Sequence, residues 1–378
     1  MSWYEKMKAT IADIIEVMES FAPSWLAEEW DNVGLQIGDK NWPVQTIRVA
    51  LDPTLDVVKD ACRNGIDLLI THHPLIFRPI KSINFSDPLG SIIQMASEHR
   101  MAIFSAHTNL DNAKDGLNDV LARRLGLRNL KVLGHAPKNE MFKLVTYVPV
   151  AYEQDVVTSF FETKAGNIGS YSCCSFRSKG KGTFKPGPLS KPILGNIGEI
   201  SHTDEVRIET VVRKNDLTNV IDHLRKNHPY ETMAYDVYPL LTPEDTIGSG
   251  RIGNLVKSVN LTSFAKAIKK KLSLDHVKVA GNPDLIIKTV AVCSGSGSSF
   301  MNHFITSGAQ VFVSGDLGYH DARTAEDNNL GLIDVGHFAS EHLIVDVLAN
   351  LLDKRLAETG INITIEAYKL EKEPFVVL

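Results

Sequence analysis

The chain has 378 residues, 43% hydrophobic and 22% charged, with 40 basic and 45 acidic side chains and a formal net charge of −5. This composition is typical of a globular protein of about two domains, and it includes no run of 18 apolar residues, which excludes a transmembrane helix and a membrane partner. The acidic balance argues against direct nucleic-acid binding, and without an apolar signal-peptide core we expect a cytoplasmic protein.

The first third of the chain alternates between helical and strand patterns. Strands are predicted over 46–52, 67–73 and 101–107, and helices over 9–21, 55–65, 87–99 and 116–126. Short apolar runs separated by helices are typical of a parallel sheet that is covered on both faces.

The middle of the chain has a different pattern. Strands are predicted over 142–150, 206–214 and 233–240, helices over 153–163 and 217–227, and a strand, loop and strand within the Gly-, Ser- and Pro-rich segment 166–192. The order β-α-β-β-α-β is that of the ferredoxin-like, or split βαβ, arrangement.

The last third returns to the first style, with strands predicted over 286–293, 309–316 and 330–337 and helices over 320–329 and 338–357. We therefore predict the α/β fold class. Residues 1–133 and 247–378 form one discontinuous domain with a mainly parallel sheet, and 134–246 form a ferredoxin-like insert domain.

Three of the predicted strands end in histidine. The first ends in His72 and His73, the second in His107 and the third in His337. Ligands of open α/β sheets bind at the carboxyl ends of strands. Two of these histidines have a carboxylate four residues later, a spacing that places both side chains on one helical face: Asp111 after His107, and Glu341 after His337.

These residues predict a metal centre. Neighbouring side chains diverge on an extended backbone, so His72 and His73 would each bind a different ion. Glu341 would bridge the two ions. Three histidine positions and two carboxylates are too few to saturate two ions, and open positions are a mark of catalytic sites. Imidazole and carboxylate ligands are compatible with Zn, Fe, Mn, Co or Ni.

Five motifs in the outer segments resemble those of the NIF-three-like family, many of whose members are described as GTP cyclohydrolase type 2 homologues. They are EEWDNVGLQIGD (28–39), LITHHPLIF (69–77), SAHTNLDNAKDGLND (105–119), SGDLGYHDA (314–322) and DVGHFASEH (334–342). The resemblance implies an α/β protein with a dinuclear metal centre that assembles into a toroidal homohexamer.

Carried over residue by residue, the family's metal ligands correspond to His72, His73, Asp111, His337 and Glu341. Glu341 matches the bridging glutamate. His107 matches a histidine of the same motif and is either a ligand or a partner of one. Within the insert, HPYETMAYDVYPL (228–240) resembles a segment of the PII- and CutA-like proteins, which implies a PII/CutA-like module.

Other polar segments are open to two interpretations. Asp316 and His320 either orient a metal-bound imidazole or cap a helix, while Asp31 and Asn32 either lie near the site or form a turn. The glycine-rich segment 294–299 is either an anion-binding turn or, more simply, a tight turn before a helix. The cations of Arg78 and Lys81 either meet a substrate phosphate or are merely solvated.

Two classes of function fit these features. The first is a hydrolase that uses two divalent metal ions on a nucleotide or other phosphate-containing small molecule, with His107 or His320 carrying protons. The second is a non-catalytic metal-binding or regulatory ring whose insert binds an effector or a partner. The substrate itself is not indicated by any motif.

Overall fold

The computed structural model describes residues 9–134, 141–168, 171–240 and 247–377. The chain divides into two compact units. The outer unit consists of residues 1–137 and 245–378, and the inner unit of residues 138–244. The inner unit falls inside the predicted insert of 134–246. The residues at the two ends of that insert, 135–140 and 241–246, lie outside the described residues. That it is an independent domain stays a prediction.

The first segment of the outer unit alternates helices and strands. In chain order its elements are α1 (Ile11–Phe21), β1 (Gly34–Ile37), β2 (Thr46–Ala50), α2 (Leu55–Arg63), β3 (Leu68–Thr71), α3 (Pro88–Glu98), β4 (Ala102–Ser105), α4 (Thr108–Asn112), α5 (Leu117–Leu125) and β5 (Arg128–Val132). The inner unit contains β6 (Met141–Pro149), α6 (Glu153–Phe161), β7 (Ser175–Phe184), β8 (Ser201–Arg213), α7 (Lys214–Asn227) and β9 (Tyr235–Leu240).

The second segment of the outer unit completes the fold. Its elements are β10 (Arg251–Asn260), α8 (Leu261–Lys271), β11 (Lys278–Ala280), β12 (Ile286–Ser296), α9 (Met301–Thr306), β13 (Val311–Gly315), α10 (Tyr319–Asp327), β14 (Gly331–Asp334), α11 (His337–Glu341), α12 (Leu343–Glu358) and β15 (Thr364–Ala367). Among the described residues, no helix is both long and apolar enough to span a membrane.

The first sheet of the outer unit has the strand order β1-β4-β3-β2-β15 and is parallel except for the β1–β4 pairing. Its side chains alternate between two cores, as a pleated strand requires. Leu68 and Ile70 of β3 pack in the cluster that includes α1 and α12, whereas Leu69 packs in the cluster that includes α2 and α3. Helices therefore cover both faces of this sheet.

The second sheet has the strand order β11-β14-β13-β12-β10-β5. The β12–β13 and β13–β14 pairings are parallel, and the three outer pairings are antiparallel. Val311 and Val313 of β13 pack in the cluster that includes α5 and α8, while Phe312 packs in the cluster that includes α9 and α10. The outer unit is thus a mixed α/β structure with two sheets rather than one.

The predicted helix over 338–357 is interrupted. The structure divides it into the five-residue α11 and the longer α12, which meet at His342. The Val345 amide donates to the His342 carbonyl at 3.1 Å, an i to i+3 bond that tightens the chain at the junction. The short first part carries both His337 and Glu341, so the junction lies directly beside the candidate site.

The inner unit has one four-stranded antiparallel sheet with the order β7-β8-β6-β9. Its core combines side chains of α6 and α7 with alternate residues of the strands, among them Phe160, Leu224, Leu144 and Ile208. One face of the sheet is therefore covered by the two helices.

Candidate metal centre

His72 directly follows β3 and is buried, with 1% of its surface exposed. The Nδ1 atom of its ring lies 2.9 Å from the carbonyl oxygen of Ala106, which accepts the Nδ1 proton and leaves Nε2 as the ring nitrogen that faces the centre. That Nε2 is 3.8 Å from Asp111 Oδ1 and 3.7 Å from Glu341 Oε1. It is buried without a hydrogen-bond partner in the described part of the chain.

His73 and His337 are oriented in the same way by carboxylates. The Nδ1 of His73 lies 2.7 Å from Asp52 Oδ1, and the Nδ1 of His337 lies 2.7 Å from Asp316 Oδ2. Each Nε2 then lies 3.0 Å from the same oxygen, Oε2 of Glu341. A carboxylate behind an imidazole fixes its tautomer and direction, an arrangement that metal-binding histidines share.

His107 follows β4 and completes a group of three imidazoles. Its ring centroid is 5.1 Å from that of His72 and 5.5 Å from that of His73. Its Nδ1 lies 2.9 Å from Asp31 Oδ1, while the other oxygen of Asp31 accepts hydrogen bonds from the amide and hydroxyl of Thr108. Burial raises the pKa of Asp31, but the contact with His107 and the hydrogen bonds from Thr108 together lower it to about 2.

Potential ligand atoms that lie within 4.8 Å of one another form two groups among the described residues. One group is His72, His73 and His107, and the other is His73, His337 and Glu341. The residues of the first group follow β3 and β4 of the first sheet. His337 and Glu341 of the second group lie on α11, which follows β14 of the second sheet. The candidate centre therefore lies where the carboxyl ends of strands from both sheets meet.

The electrostatics of the centre favour cations. Burial raises the pKa of Glu341, but the neighbouring imidazoles of His337, His72 and His73 hold it well below its usual range. Burial lowers the pKa of His73, yet contacts with Asp52 and Glu341 raise it to about 10, and the contact with Glu341 raises that of His337 to about 9 against opposing burial. Without an ion, the protonated imidazoles of His73 and His337 balance the negative charge of these carboxylates.

Asp111 lies opposite Glu341 and is positioned by hydrogen bonds from its surroundings. Its Oδ1 accepts from the Ser294 hydroxyl at 3.4 Å, and its carbonyl accepts from the Asn118 side chain at 3.2 Å. Burial and the negative charge of Glu341 raise its pKa against the influence of His72 and His107. Asp111 and Glu341 both lie within 3.8 Å of His72 Nε2, so a cation at this point would relieve the repulsion between the two carboxylates.

Gly295 lets the backbone of β12 approach α11 closely at this point. Its φ is +61°, and a Cβ atom there would lie 2.3 Å from Glu341 Oε1 and 3.4 Å from His337 Nε2. Its amide donates to the Ser340 hydroxyl at 2.9 Å. Within segment 294–299, the structure thus assigns Gly295 to the close approach of a backbone to the Glu341 carboxylate, a use for which glycine is suited.

The structure brings together the five predicted ligands His72, His73, Asp111, His337 and Glu341, with His107 beside them. Their binding of metal stays a prediction. Asp31 and Asp316 both contact imidazole Nδ1 atoms of the cluster. His320 is exposed on α10, where its ring contacts Tyr319, and it belongs to neither group of potential ligand atoms.

Two residues of the centre were not predicted from the sequence. Asp52 follows β2, the neighbour of β3, so the strand-end argument that selected the histidines could have selected it as well. Gly295 could be found only from the structure, because the sequence does not show how closely β12 approaches Glu341.

Several known proteins are similar to this chain. A family model described as Duf34/NIF3 (NGG1p interacting factor 3) matches residues 9–374. A Halalkalibacterium halodurans protein named GTP cyclohydrolase 1 type 2 homolog is 38% identical over 365 residues, which are 97% of this chain and 98% of that protein. A Bacillus subtilis protein of the same name is also 38% identical, with the same coverage.

Solved structures agree with this relationship. The crystal structure of a Bacillus cereus protein related to NIF3 matches with a TM-score of 0.71 and 38% identity, covering 98% of this chain and 99% of that one. A Staphylococcus aureus protein structure matches with a TM-score of 0.74 and 30% identity at the same coverage. From the family match over nearly its whole length and these relatives, the chain belongs to the DUF34/NIF3 family.

Proposed function

We propose that this protein is a metal-dependent hydrolase that acts on a nucleotide or another phosphate-containing small molecule. The observation that carries the proposal is the position of the Glu341 carboxylate. Its Oε2 lies 3.0 Å from the Nε2 atoms of both His73 and His337, and its Oε1 faces the orphaned Nε2 of His72. Oε2 is itself buried without a hydrogen bond in the described residues, as suits an oxygen that ligates an ion.

Two divalent ions fit these donors. His73 and His337 would hold one ion, His72 and Asp111 the other, and Glu341 would bridge both. Imidazole nitrogens and carboxylate oxygens without a thiolate suit Zn, Fe, Mn, Co or Ni. When bound, such a pair of ions supplies Lewis-acid polarisation and a water that is acidic near neutral pH.

The protein's own residues perform the remaining steps. Asp52, Asp316 and Asp31 hold the Nδ1 atoms of three imidazoles, which directs the Nε2 atoms toward the centre. We propose that His107, which is assigned to neither ligand set, accepts and returns a proton at Nε2. The exposed His320 is the alternative proton carrier, and comparing His107→Gln with His320→Gln separates the two.

The names of the relatives support a nucleotide as the substrate class, since two of them are described as GTP cyclohydrolase homologues. The proposed test is hydrolysis of GTP and of simple phosphoesters by the metal-loaded, full-length protein. Glu341→Gln tests the centre, and Glu326→Gln is a matched control, since Glu326 lies on the surface of α10.

Turnover that requires added metal, is lost in Glu341→Gln and persists in Glu326→Gln is the expected result. Two bound ions without turnover of any substrate would contradict the hydrolase and favour the metal-binding or regulatory ring. Turnover that survives in Glu341→Gln would contradict the assignment of this centre.

We also propose the assembly and compartment that the family resemblance implies, a homohexameric ring in the cytoplasm with the inner unit as a ferredoxin-like, PII/CutA-like module. The strand order β7-β8-β6-β9, with two helices on one face, supports the ferredoxin-like arrangement. Light scattering of the eluting protein tests the ring, which requires six times the 41.7 kDa of one chain.

A further inference from the structure

Two exposed aromatic side chains border the candidate metal centre. Trp30 is 59% exposed and Phe77 is 46% exposed, and their ring centroids lie 5.7 Å apart with an angle of 59° between the ring planes. The Trp30 ring is also 6.0 Å from the ring of His107, which meets it edge-on. We call Trp30 and Phe77 the aromatic platform. The two rings are inclined to each other, and the His107 ring beside Trp30 connects them with the histidine cluster.

The backbone on both sides of the platform is held in place. Asp31, the residue after Trp30, binds His107 and Thr108. The Asn32 side-chain amide donates to the carbonyl of Ile76 at 2.5 Å, and the Ile76 amide donates to the Gln36 side chain at 3.2 Å. The segment that carries Trp30 is therefore tied to the segment that carries Phe77, and the two rings are arranged before any ligand arrives.

A preorganised pair of rings in contact with solvent is suited to a flat, aromatic ligand. Purine and pyrimidine bases stack on tryptophan and phenylalanine, and each such stack contributes measurably to affinity. Two cations follow the platform in the chain, at Arg78 and Lys81. Both are exposed, and neither forms an ion pair within the part of the chain described. They are available to an anionic group that is attached to the ring.

We propose that the aromatic platform binds the heteroaromatic ring of the substrate beside the metal centre, which makes nucleotides, rather than phosphoesters without a ring, the substrate class. This inference deepens the proposed function, and it rests on that function where it calls the bound molecule a substrate. The contacts of Trp30, Phe77 and His107 define the platform whether or not the protein is a hydrolase.

The test compares two anions that carry the same number of phosphates, GTP and inorganic triphosphate. Their affinities for the full-length protein with its metals are measured by titration calorimetry. We expect GTP to bind the more tightly, and Trp30→Ala to weaken GTP binding roughly tenfold while leaving triphosphate binding unchanged. Trp30→Phe, which keeps a stacking surface, should recover most of the loss.

Two controls keep the result interpretable. Phe85→Ala removes a similarly exposed aromatic, 55% exposed, that has no ring contact in the described residues, and should leave both affinities unchanged. Metal content, measured on every variant, should stay at the wild-type value. If Trp30→Ala fails to fold, Phe77→Ala tests the other half of the platform with the same expected pattern.

The outcomes separate the inference from the proposed function. Equal affinity for GTP and triphosphate, or GTP binding that is unaffected by both Trp30→Ala and Phe77→Ala, overturns the platform even if the protein hydrolyses phosphoesters. Ring-dependent binding that Trp30→Ala abolishes upholds the platform even if no turnover is found. A Trp30 that acrylamide cannot reach in the assembled protein would instead place the rings in a contact between copies of the chain, and it too overturns the inference.

Discussion

Replacing Gly295 with alanine should remove metal from the centre while leaving the fold in place. A Cβ atom at this position would lie 2.3 Å from Oε1 of Glu341, whose side chain is 4% exposed. Ordinary carbon contacts are about 3.5 Å, so the carboxylate would have to retreat by about 1 Å. A metal site tolerates about 0.2 Å in its ligand distances. The bridging position would therefore be lost.

The expected magnitude has two parts. Alanine at a left-handed φ of +61° costs about 1–2 kcal/mol in the free energy of unfolding, whatever it contacts. Metal affinity should fall at least 100-fold for one or both ions, because a ligand is displaced and not merely a residue behind a ligand. Elemental analysis after dialysis against buffer with free metal at a fixed concentration measures the second part.

Gly308→Ala is the matched control. Its φ is +79°, so alanine is strained there as well, but a Cβ atom would meet nothing within 4 Å. Both variants should lose similar stability in urea, and only Gly295→Ala should lose metal. If Gly295→Ala retains the wild-type metal content and affinity, the position assigned to Glu341 in the centre is wrong.

Three further predictions concern the buried Arg251, the inner unit and the protons held by the centre. Arg251→Met should lower the free energy of unfolding of metal-free protein by about 3–5 kcal/mol, measured in urea, because Arg251 is buried and its loss leaves the Asp119 carboxylate buried without its partner. Replacing 138–244 by a short linker should leave a folded outer unit that binds metal by elemental analysis. Metal binding at pH 7 should release about two protons, one each from His73 and His337. Calorimetry in buffers of different ionisation enthalpy measures this number.

Each of these has its own reason and control. Arg323→Met removes an exposed pair with Glu326 and should cost less than about 0.5 kcal/mol; equal losses in the two variants would contradict the role of the buried pair. The deletion is expected to succeed because the Gly134 amide donates to the Ser249 carbonyl at 3.0 Å, so the described parts of the outer unit on either side of the replaced segment contact each other. A product that is insoluble or free of metal would argue that the inner unit is needed by the outer one.

The sign of the proton release follows from the raised pKa values. Both histidines have folded-state pKa values above the ordinary 6.5, so their protons stabilise the metal-free fold at neutral pH, and this stabilisation is lost as the pH rises through about 9 to 10. An ion must displace those protons, and metal affinity should weaken as the pH falls from 9 to 7. Affinity that does not change with pH would contradict these histidines as ligands.

The sequence was most informative where chain position and chemistry coincide. Apolar runs that end in histidine mark strand ends, and the carboxyl ends of neighbouring parallel strands meet at one edge, so the proximity of His72, His73 and His107 could be expected without coordinates. The i to i+4 spacing similarly predicted that His337 and Glu341 share a helical face, and both lie on the short α11.

The remaining features depend on packing that the sequence does not reveal. That the outer unit has two sheets could not be anticipated, since the edge strand β5 and its neighbour β10 are half-exposed and lack a strong apolar pattern. The break at His342 was missed because apolar periodicity continues across it. The sequence around Gly295 is compatible with an ordinary glycine-serine turn. Only the structure shows that a Cβ atom at this position would lie 2.3 Å from Glu341 Oε1, so that glycine is required there.

The most direct test of the central claim is anomalous scattering from crystals of the full-length protein loaded with zinc. We predict two peaks about 3.5–4 Å apart, each about 2.0–2.2 Å from an oxygen of Glu341. One should also be bound by Nε2 of His73 and His337, and the other by Nε2 of His72 and by Asp111. A single peak that does not touch Glu341, or no peak at these histidines, would contradict a dinuclear centre built on this carboxylate.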